Sequence, residues 1–209
     1  MPRTLAISHR KTLPGDFESW LDLLEGNRIE ALQLREKDLD DRSLLALGKR
    51  ALGRSPRLFV NGRIDLVLTL GAAGVHLPQR ALPASALRER FGQGLIFGAS
   101  THHPGEVATA RDAGIDFVVF GPVFPPLSKT TTDTIPGLEG LRQAVEEGLP
   151  VLALGGITAA RLAAVADCGA YGVAGISTFQ DPRELPSLIA EFERLWPSSA
   201  AHEDRFPGR

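Results

Sequence analysis

The sequence predicts a single (β/α)8 barrel, and three of its features lead to that prediction. Short apolar runs alternate with amphipathic segments at a spacing of about twenty-five residues, which is typical of a parallel sheet with helical crossovers. Eight such pairs follow one another without a hairpin signal, which favours a closed barrel over an open sheet. The last two apolar runs lead into glycines, as expected for the phosphate loops after strands seven and eight of this fold.

The predicted elements follow from the period of the apolar residues, read in chain order. Strands are predicted at residues 5–7, 31–34, 57–60, 74–76, 95–98, 117–120, 151–154 and 172–175. Helices are predicted at residues 17–24, 41–52, 64–70, 83–91, 104–113, 138–147, 159–168 and 184–195. Asp41 or Ser43 could cap the second helix, and Thr158 could cap the seventh.

Length and composition fit one globular domain. The chain has 209 residues, of which 43% are hydrophobic and 23% charged, enough to bury a full core. We expect the barrel to occupy residues 1–196, the connection 121–137 to be an active-site loop, and the aperiodic tail 197–209 to be disordered. Scattered apolar helix faces also leave a homo-oligomer open.

The same composition indicates in which compartment the protein works and which classes of partner are not expected. No apolar run is long enough to cross a bilayer, and the N-terminal residues lack the pattern of a signal peptide. The single Cys168 allows no internal disulfide, so we expect a cytoplasmic protein. A net charge of -2 gives no reason to expect nucleic acid or a membrane surface as partner.

Gly155 and Gly156 follow the seventh predicted strand and precede a predicted helix, an arrangement that favours anion binding. Glycine leaves the backbone N–H groups unshielded, and the start of a helix adds a positive dipole end. Gly175 repeats the plan at the end of the eighth strand, with Ile176 next to it. The two loops therefore predict one shared phosphate site without a lysine or arginine, the alternative being simple turn chemistry.

The second predicted strand leads into Gln33, Arg35 and Lys37, which alternation sends to one side of the chain. One amide and two cations there suit a pyrophosphate, which Arg binds in a fork and Lys as a point charge. The alternative is a solvated loop in which Glu36 and Asp38 act as local ion-pair partners. Further candidates at the same rim follow other strands: Asn61, His76, Ser100, His102 and Lys129.

Six motifs in this order resemble those of the thiamine phosphate synthase and TenI family, over residues 5–195: LQLREKD, NGRIDLVLTLGAAGVHLPQ, FGASTHH, FVVFGPVFPPLSK, VLALGGIT and GVAGIS. Synthases of this family join a hydroxymethylpyrimidine pyrophosphate to a thiazole phosphate and release pyrophosphate. The resemblance implies that pyrimidine and pyrophosphate contact Gln33, Arg35, Lys37, Asn61, Ser100, Ser128 and Lys129. It implies that the thiazole phosphate contacts Gly155, Gly156, Gly175, Ile176 and Ser177.

The sequence departs from the synthase pattern where that family places its Mg²⁺ ligands. Synthases carry an aspartate after the strand-three Asn and another after the strand-four His. Here these places hold Gly62 and residues 78–81, without a carboxylate. The Asn-Gly pair and the VHLP sequence are similar to the TenI branch, which includes a thiazole tautomerase. The histidine of that branch after strand six falls at Pro122.

Three functional hypotheses follow, each with a phosphorylated thiazole as ligand. The first is a TenI-like tautomerase with no metal, in which His102 or His76 serves as the base. The second is a synthase that also takes the pyrimidine pyrophosphate, with Lys129 as a further catalytic candidate. In that case Mg²⁺ is held by pyrophosphate, water and a displaced side chain such as Asp133. The third is a binder of thiazole or thiamine phosphate that has no chemistry of its own.

Overall fold

Eight parallel strands form a closed barrel in the computed structural model of the chain, which describes residues 1–54, 57–92, 94–125 and 135–197. Each strand pairs with the next along the chain, and the eighth pairs with the first. This confirms the predicted (β/α)8 barrel. In these residues, no helix combines the length and the apolar character that a membrane crossing requires.

The strands are β1 (Thr4–Ile7), β2 (Ala31–Leu34), β3 (Leu58–Asn61), β4 (Gly74–Leu77), β5 (Ile96–Thr101), β6 (Phe117–Phe120), β7 (Val151–Leu154) and β8 (Gly172–Gly175). The helices are α1 (Phe17–Gly26), α2 (Asp41–Leu52), α3 (Ile64–Leu70), α4 (Ala84–Phe91), α5 (Pro104–Asp112), α6 (Gly137–Glu146), α7 (Leu162–Asp167) and α8 (Leu185–Leu195). Short 3-10 turns precede α1, α7 and α8, at Arg10–Thr12, Ala159–Arg161 and Ser177–Phe179.

Four local predictions need correction. The cap of α2 is Asp40, whose carboxylate accepts from the backbone N–H of Ser43, so neither Asp41 nor Ser43 is the cap. The side chain of Thr158 makes no cap hydrogen bond. The seventh helix is shorter than predicted because the residues after Thr158 first form a 3-10 turn. In addition, β5 runs on to Thr101, so Ser100 lies inside a strand and not after it.

Alternation along the strands divides the core into two parts. An inner set fills the barrel, and an outer set lies between the sheet and the helices. The inner set includes Ala31, Phe59, Leu152 and Ala174. Residues two positions further along each strand face the same way and lie nearer the carboxyl end. That end is called the mouth below, and it is where Gln33, Asn61, Leu154 and Ile176 lie.

Candidate active site

Four polar side chains from neighbouring strands, Gln33, Asn61, His76 and Ser100, form what we call the mouth cluster. Gln33 and His76 are buried, and Asn61 and Ser100 are half-buried. The side-chain amide of Gln33 donates to Oδ1 of Asn61 at 3.1 Å, and Nε2 of His76 lies 3.0 Å from Oγ of Ser100. Asn61 and His76 are register partners in the sheet, so the two pairs are neighbours. The structure thus brings together four of the predicted site residues.

The acidic residues next to Arg35 and Lys37 contact Arg10 and Lys11, and not their own neighbours in the chain. Glu36 is buried, and its Oε1 accepts the backbone N–H of Arg10 at 2.9 Å. Asp38 pairs with Arg10 at 2.5 Å and with Lys11 at 3.1 Å. Contacts to Lys11 and Arg10 hold the pKa of Asp38 below its usual value. The alternative in which Glu36 and Asp38 neutralise their immediate neighbours therefore does not describe this loop.

Arg35 and Lys37 keep their charges available at the mouth. Within the part of the chain that the structure describes, neither side chain forms a hydrogen bond or an ion pair. Arg35 is half-buried and follows β2 at the mouth, and its positive charge contributes to lowering the pKa of His76. A half-buried cation without a carboxylate partner is suited to an anionic ligand, because its desolvation is otherwise uncompensated.

The loop after β7 needs glycine for both conformation and space. Gly155 and Gly156 have φ of +101° and +61°, values that residues with a Cβ rarely adopt. A Cβ on Gly156 would lie 2.8 Å from both Cβ of Phe124 and the carbonyl oxygen of Pro125. A larger residue at Gly156 would therefore strain the backbone and displace the loop after β6, as well as blocking a ligand.

The loops after β7 and β8, residues 155–158 and 175–178, lie side by side and are called the phosphate loops below. The hydroxyl of Thr178 donates to the carbonyl of Ile157 at 3.2 Å and links them. The backbone N–H groups of Gly156, Ile176 and Ser177 donate no hydrogen bond to any described residue. Backbone donors without a protein partner can bind the oxygens of a phosphate. This arrangement is what the glycine pattern predicts.

A cavity of about 560 Å³ opens beside the phosphate loops. Its wall includes Thr12 from the turn before α1, Ile157 and Thr158 from the seventh loop, and Ser177 from the eighth. The wall also includes Asp181 and Glu184 and no residue of the mouth cluster, so this cavity lies between the phosphate loops and α8 and not over the mouth.

Arg161 is a feature that the sequence reasoning missed. Its Nη1 donates to the carbonyl of Gly156 at 2.7 Å, and its guanidinium lies 4.7 Å from the centre of the Phe124 ring. The prediction attributed the positive potential here to a helix start, yet α7 begins only at Leu162 and is short. Arg161 supplies a nearby positive charge and fixes the carbonyl side of Gly156, which a glycine pattern alone does not indicate.

His102 lies at the mouth in a defined orientation. Its Nδ1 contacts the carbonyl oxygen of Gly121, an acceptor only, so Nδ1 carries a proton and Nε2 is the nitrogen left for another partner. Glu106 accepts the backbone N–H of His102 at 2.6 Å and the amide of Gln79 at 2.9 Å. Although burial opposes it, these hydrogen bonds keep the pKa of Glu106 below its usual value. Glu106 is the third residue of α5, a position whose side chain typically reaches back to the helix start, so the sequence did carry this signal.

The positions where the synthase pattern has its Mg²⁺ ligands carry no carboxylate in the described residues. No group of three His, Cys, Asp or Glu side chains lies close enough together to hold a metal ion in residues 1–54, 57–92, 94–125 and 135–197. Gly62 has no side chain, and Gln79 is bound to Glu106. The carboxylate of Asp65 is paired with Arg63 at 2.6 Å, a contact that lowers the pKa of Asp65. Ser128, Lys129 and Asp133, which the sequence analysis also named, lie outside the described residues.

The fold and the site geometry define a (β/α)8-barrel protein whose mouth combines available backbone amides with cations that pair with no described residue. More particularly, the chain belongs to the thiamine monophosphate synthase family, whose model matches residues 5–179. A relative from Geobacter sulfurreducens named "Putative thiamine-phosphate synthase" is 42% identical over 165 residues, covering 75% of this chain and 77% of the relative. The thiamine-phosphate synthase of Archaeoglobus fulgidus is 38% identical over 177 residues, covering 79% and 83%.

Solved structures give the same result. A thiamine phosphate pyrophosphorylase from Pyrococcus furiosus superposes with a TM-score of 0.81 and 30% identity, covering 92% of this chain and 96% of that one. An N-(5'-phosphoribosyl)anthranilate isomerase from the same organism has a TM-score of 0.64 at 16% identity, which shows a shared fold alone. The resemblance to the thiamine phosphate synthase and TenI family is thereby confirmed, and the relatives' names favour the synthase side of it.

Proposed function

We propose that the protein is a thiamine-phosphate synthase, a transferase that joins a hydroxymethylpyrimidine pyrophosphate to a thiazole phosphate. The bond between the pyrimidine methylene and the pyrophosphate oxygen breaks, and its electron pair leaves with pyrophosphate. The lone pair of the thiazole nitrogen then forms the new carbon–nitrogen bond. The names of the relatives support this function over the tautomerase that the sequence analysis placed first.

The observation that carries the proposal is that Arg35, next to a neutral polar cluster, and Lys37, two residues further on, form no ion pair with any described residue. Departure of pyrophosphate develops negative charge, which Arg35 and Lys37 stabilise at the mouth. Asn61, held by the buried Gln33, presents its amide group to the pyrimidine, whose ring nitrogens and amine need both donors and acceptors. The phosphate loops hold the thiazole phosphate through backbone N–H groups. The described residues contain no cluster of three possible metal ligands, and we assign this chain's own charge compensation to the cations.

The test is direct synthesis. Purified protein is incubated with the pyrimidine pyrophosphate, the thiazole phosphate and MgCl₂, and thiamine phosphate and pyrophosphate are measured. We expect both products in equal amounts, and none when either substrate is omitted. No product at high protein concentration would reject the synthase. Tight calorimetric binding of either substrate in that case would identify a binder without chemistry.

A second candidate, proton transfer on a thiazole phosphate, is supported by the orientation of His102. With Nδ1 committed to Gly121, Nε2 is free to accept a proton near the mouth. The test variant is His102→Ala, and the matched control is His103→Ala at an exposed neighbouring position. The control shows whether a lost activity comes from the missing imidazole of His102 or from a general disturbance of the chain before α5. Deuterium exchange into the thiazole that only His102→Ala abolishes would establish the tautomerase. Equal exchange in both variants would remove His102 as its base.

A further inference from the structure

His76 is enclosed in the barrel and has one hydrogen-bond partner among the described residues. It is 1% exposed, and its Nε2 lies 3.0 Å from Oγ of Ser100. Its Nδ1 is buried and has no partner in the described part of the chain. Next to it, Gly98 leaves the room that the imidazole needs, because a Cβ there would lie 2.8 Å from Nδ1 and closer still to the Phe117 ring.

The surroundings keep this imidazole neutral. Burial, assisted by the positive charge of Arg35, lowers the pKa of His76 to about 3. At neutral pH the ring therefore carries one proton on one of its two nitrogens. Such a group is a poor proton donor and a weak base, so the prediction that His76 is a catalytic base is not supported by its environment.

The single proton belongs on Nε2. A buried N–H without an acceptor is rarer and more costly than a buried lone pair without a donor. With the proton on Nε2, the bond to Ser100 runs from the imidazole to the hydroxyl oxygen. The hydroxyl then has its own proton free, and Ser100 is half-buried at the mouth, on the strand next to His76. Its free proton is therefore available to a ligand.

We propose that His76 is a positioning residue that holds the Ser100 hydroxyl as a hydrogen-bond donor toward an acceptor of the pyrimidine pyrophosphate. The inference rests on the proposed function, since that function supplies the ligand. His76 itself does not touch the substrate. The buried His76 fixes the orientation of Ser100, which does touch the substrate. In the same way, the buried amide of Gln33 donates to the half-buried Asn61.

A double-mutant cycle tests this role with His76→Met, Ser100→Ala and the double variant. Methionine fills a similar volume without an N–H, and His76→Gln serves as the conservative variant because its amide reaches about as far as Nε2. We expect each single change to lower kcat/KM for the pyrimidine pyrophosphate by about tenfold, the loss of one oriented hydrogen bond. The double variant should lose no more than Ser100→Ala alone, because His76 has nothing to orient once the hydroxyl is gone. His76→Gln should recover most of the loss.

Three outcomes decide the matter. Losses that multiply in the double variant would show that His76 and Ser100 act independently and would overturn the proposal. A His76→Met variant with a lowered melting temperature but unchanged kcat/KM would show a purely structural histidine and would also overturn it. A wild-type protein that neither turns over nor binds the pyrimidine pyrophosphate would instead reject the proposed function, and this inference with it.

Discussion

The two sides of the barrel mouth are built from different parts of the chain. On the side of β2 to β5, the mouth cluster and Arg35 present side chains, each placed by strand alternation. On the side of β7 and β8, the phosphate loops present backbone N–H groups, with glycine required by positive φ and close packing. Where backbone N–H groups bind the ligand, the exposed side chains of the loop can be exchanged with little loss of affinity. Where side chains bind the ligand, each substitution removes a contact. The two sides should therefore respond differently to substitution.

The largest effect should come from Arg35→Ala on the side-chain side. Losing a charge-assisted, forked interaction with pyrophosphate should lower kcat/KM for the pyrimidine substrate by about 100-fold. Binding of the thiazole phosphate should change little. Steady-state kinetics checks both, with Arg90→Ala, an exposed arginine of α4, as the control. Similar losses in the two variants, or a loss confined to the thiazole phosphate, would contradict the division of the mouth.

A smaller effect is expected at the phosphate loops from Ser177→Glu. Ser177 is exposed, so the change adds a negative charge beside the backbone donors without disturbing the packing that surrounds Gly156. Repulsion should weaken binding of the thiazole phosphate by about tenfold. Calorimetry measures it, with Ser187→Glu on the exposed side of α8 as the matched control. Unchanged affinity in Ser177→Glu would place the phosphate elsewhere.

Much of the backbone-built side could be predicted from sequence, because glycine next to a short apolar run reports directly on backbone shape. The glycines at 155, 156 and 175 and the strands β7 and β8 lie where the pattern put them. The start of the seventh helix does not lie where it was predicted, because Thr158 makes no cap hydrogen bond and a 3-10 turn precedes the helix. Capping depends on a side-chain rotamer, which a residue type permits but does not dictate.

For the side-chain side, the sequence predicted which residues lie at the mouth but not which of them form hydrogen bonds with each other. The sequence placed Gln33, Asn61, His76 and Ser100 at one rim, yet it could not show which of them bind each other. Nor could it show that Asp38 turns to Arg10 and Lys11, which are distant in sequence. Such pairings depend on how the barrel closes. The burial that makes His76 neutral is likewise a property of the assembled core.

The neutral state of His76 should make the free energy of unfolding depend on pH. Its pKa is about 3 in the folded protein and about 6.5 in an unfolded chain, so the unfolded state binds more protons between these values. The stability due to neutral His76 is fully present above pH 6.5 and falls as the pH drops toward 3. Urea unfolding of wild type and His76→Gln between pH 7 and pH 4.5 should show a smaller pH-dependent loss in the variant. Parallel curves would mean that His76 is accessible to protonation in the fold.

The smallest expected effect is on metal binding. Because the described residues supply no carboxylate cluster, MgCl₂ added to the protein alone should give no saturable heat in calorimetry. EDTA should leave the melting temperature of the free protein unchanged. Saturable Mg²⁺ binding that Asp133→Ala abolishes would contradict this expectation and would identify Asp133 as a ligand.

The division of the mouth can be tested most directly by recording backbone and side-chain amide resonances during two separate titrations. With thiazole phosphate, we expect the largest shifts at the backbone amides of Gly156, Ile176 and Ser177. With the pyrimidine pyrophosphate, we expect them at the side-chain amides of Gln33 and Asn61. If thiazole phosphate instead shifts Gln33 and Asn61 and leaves Gly156, Ile176 and Ser177 unchanged, the phosphate is bound by the side-chain side and the account is wrong.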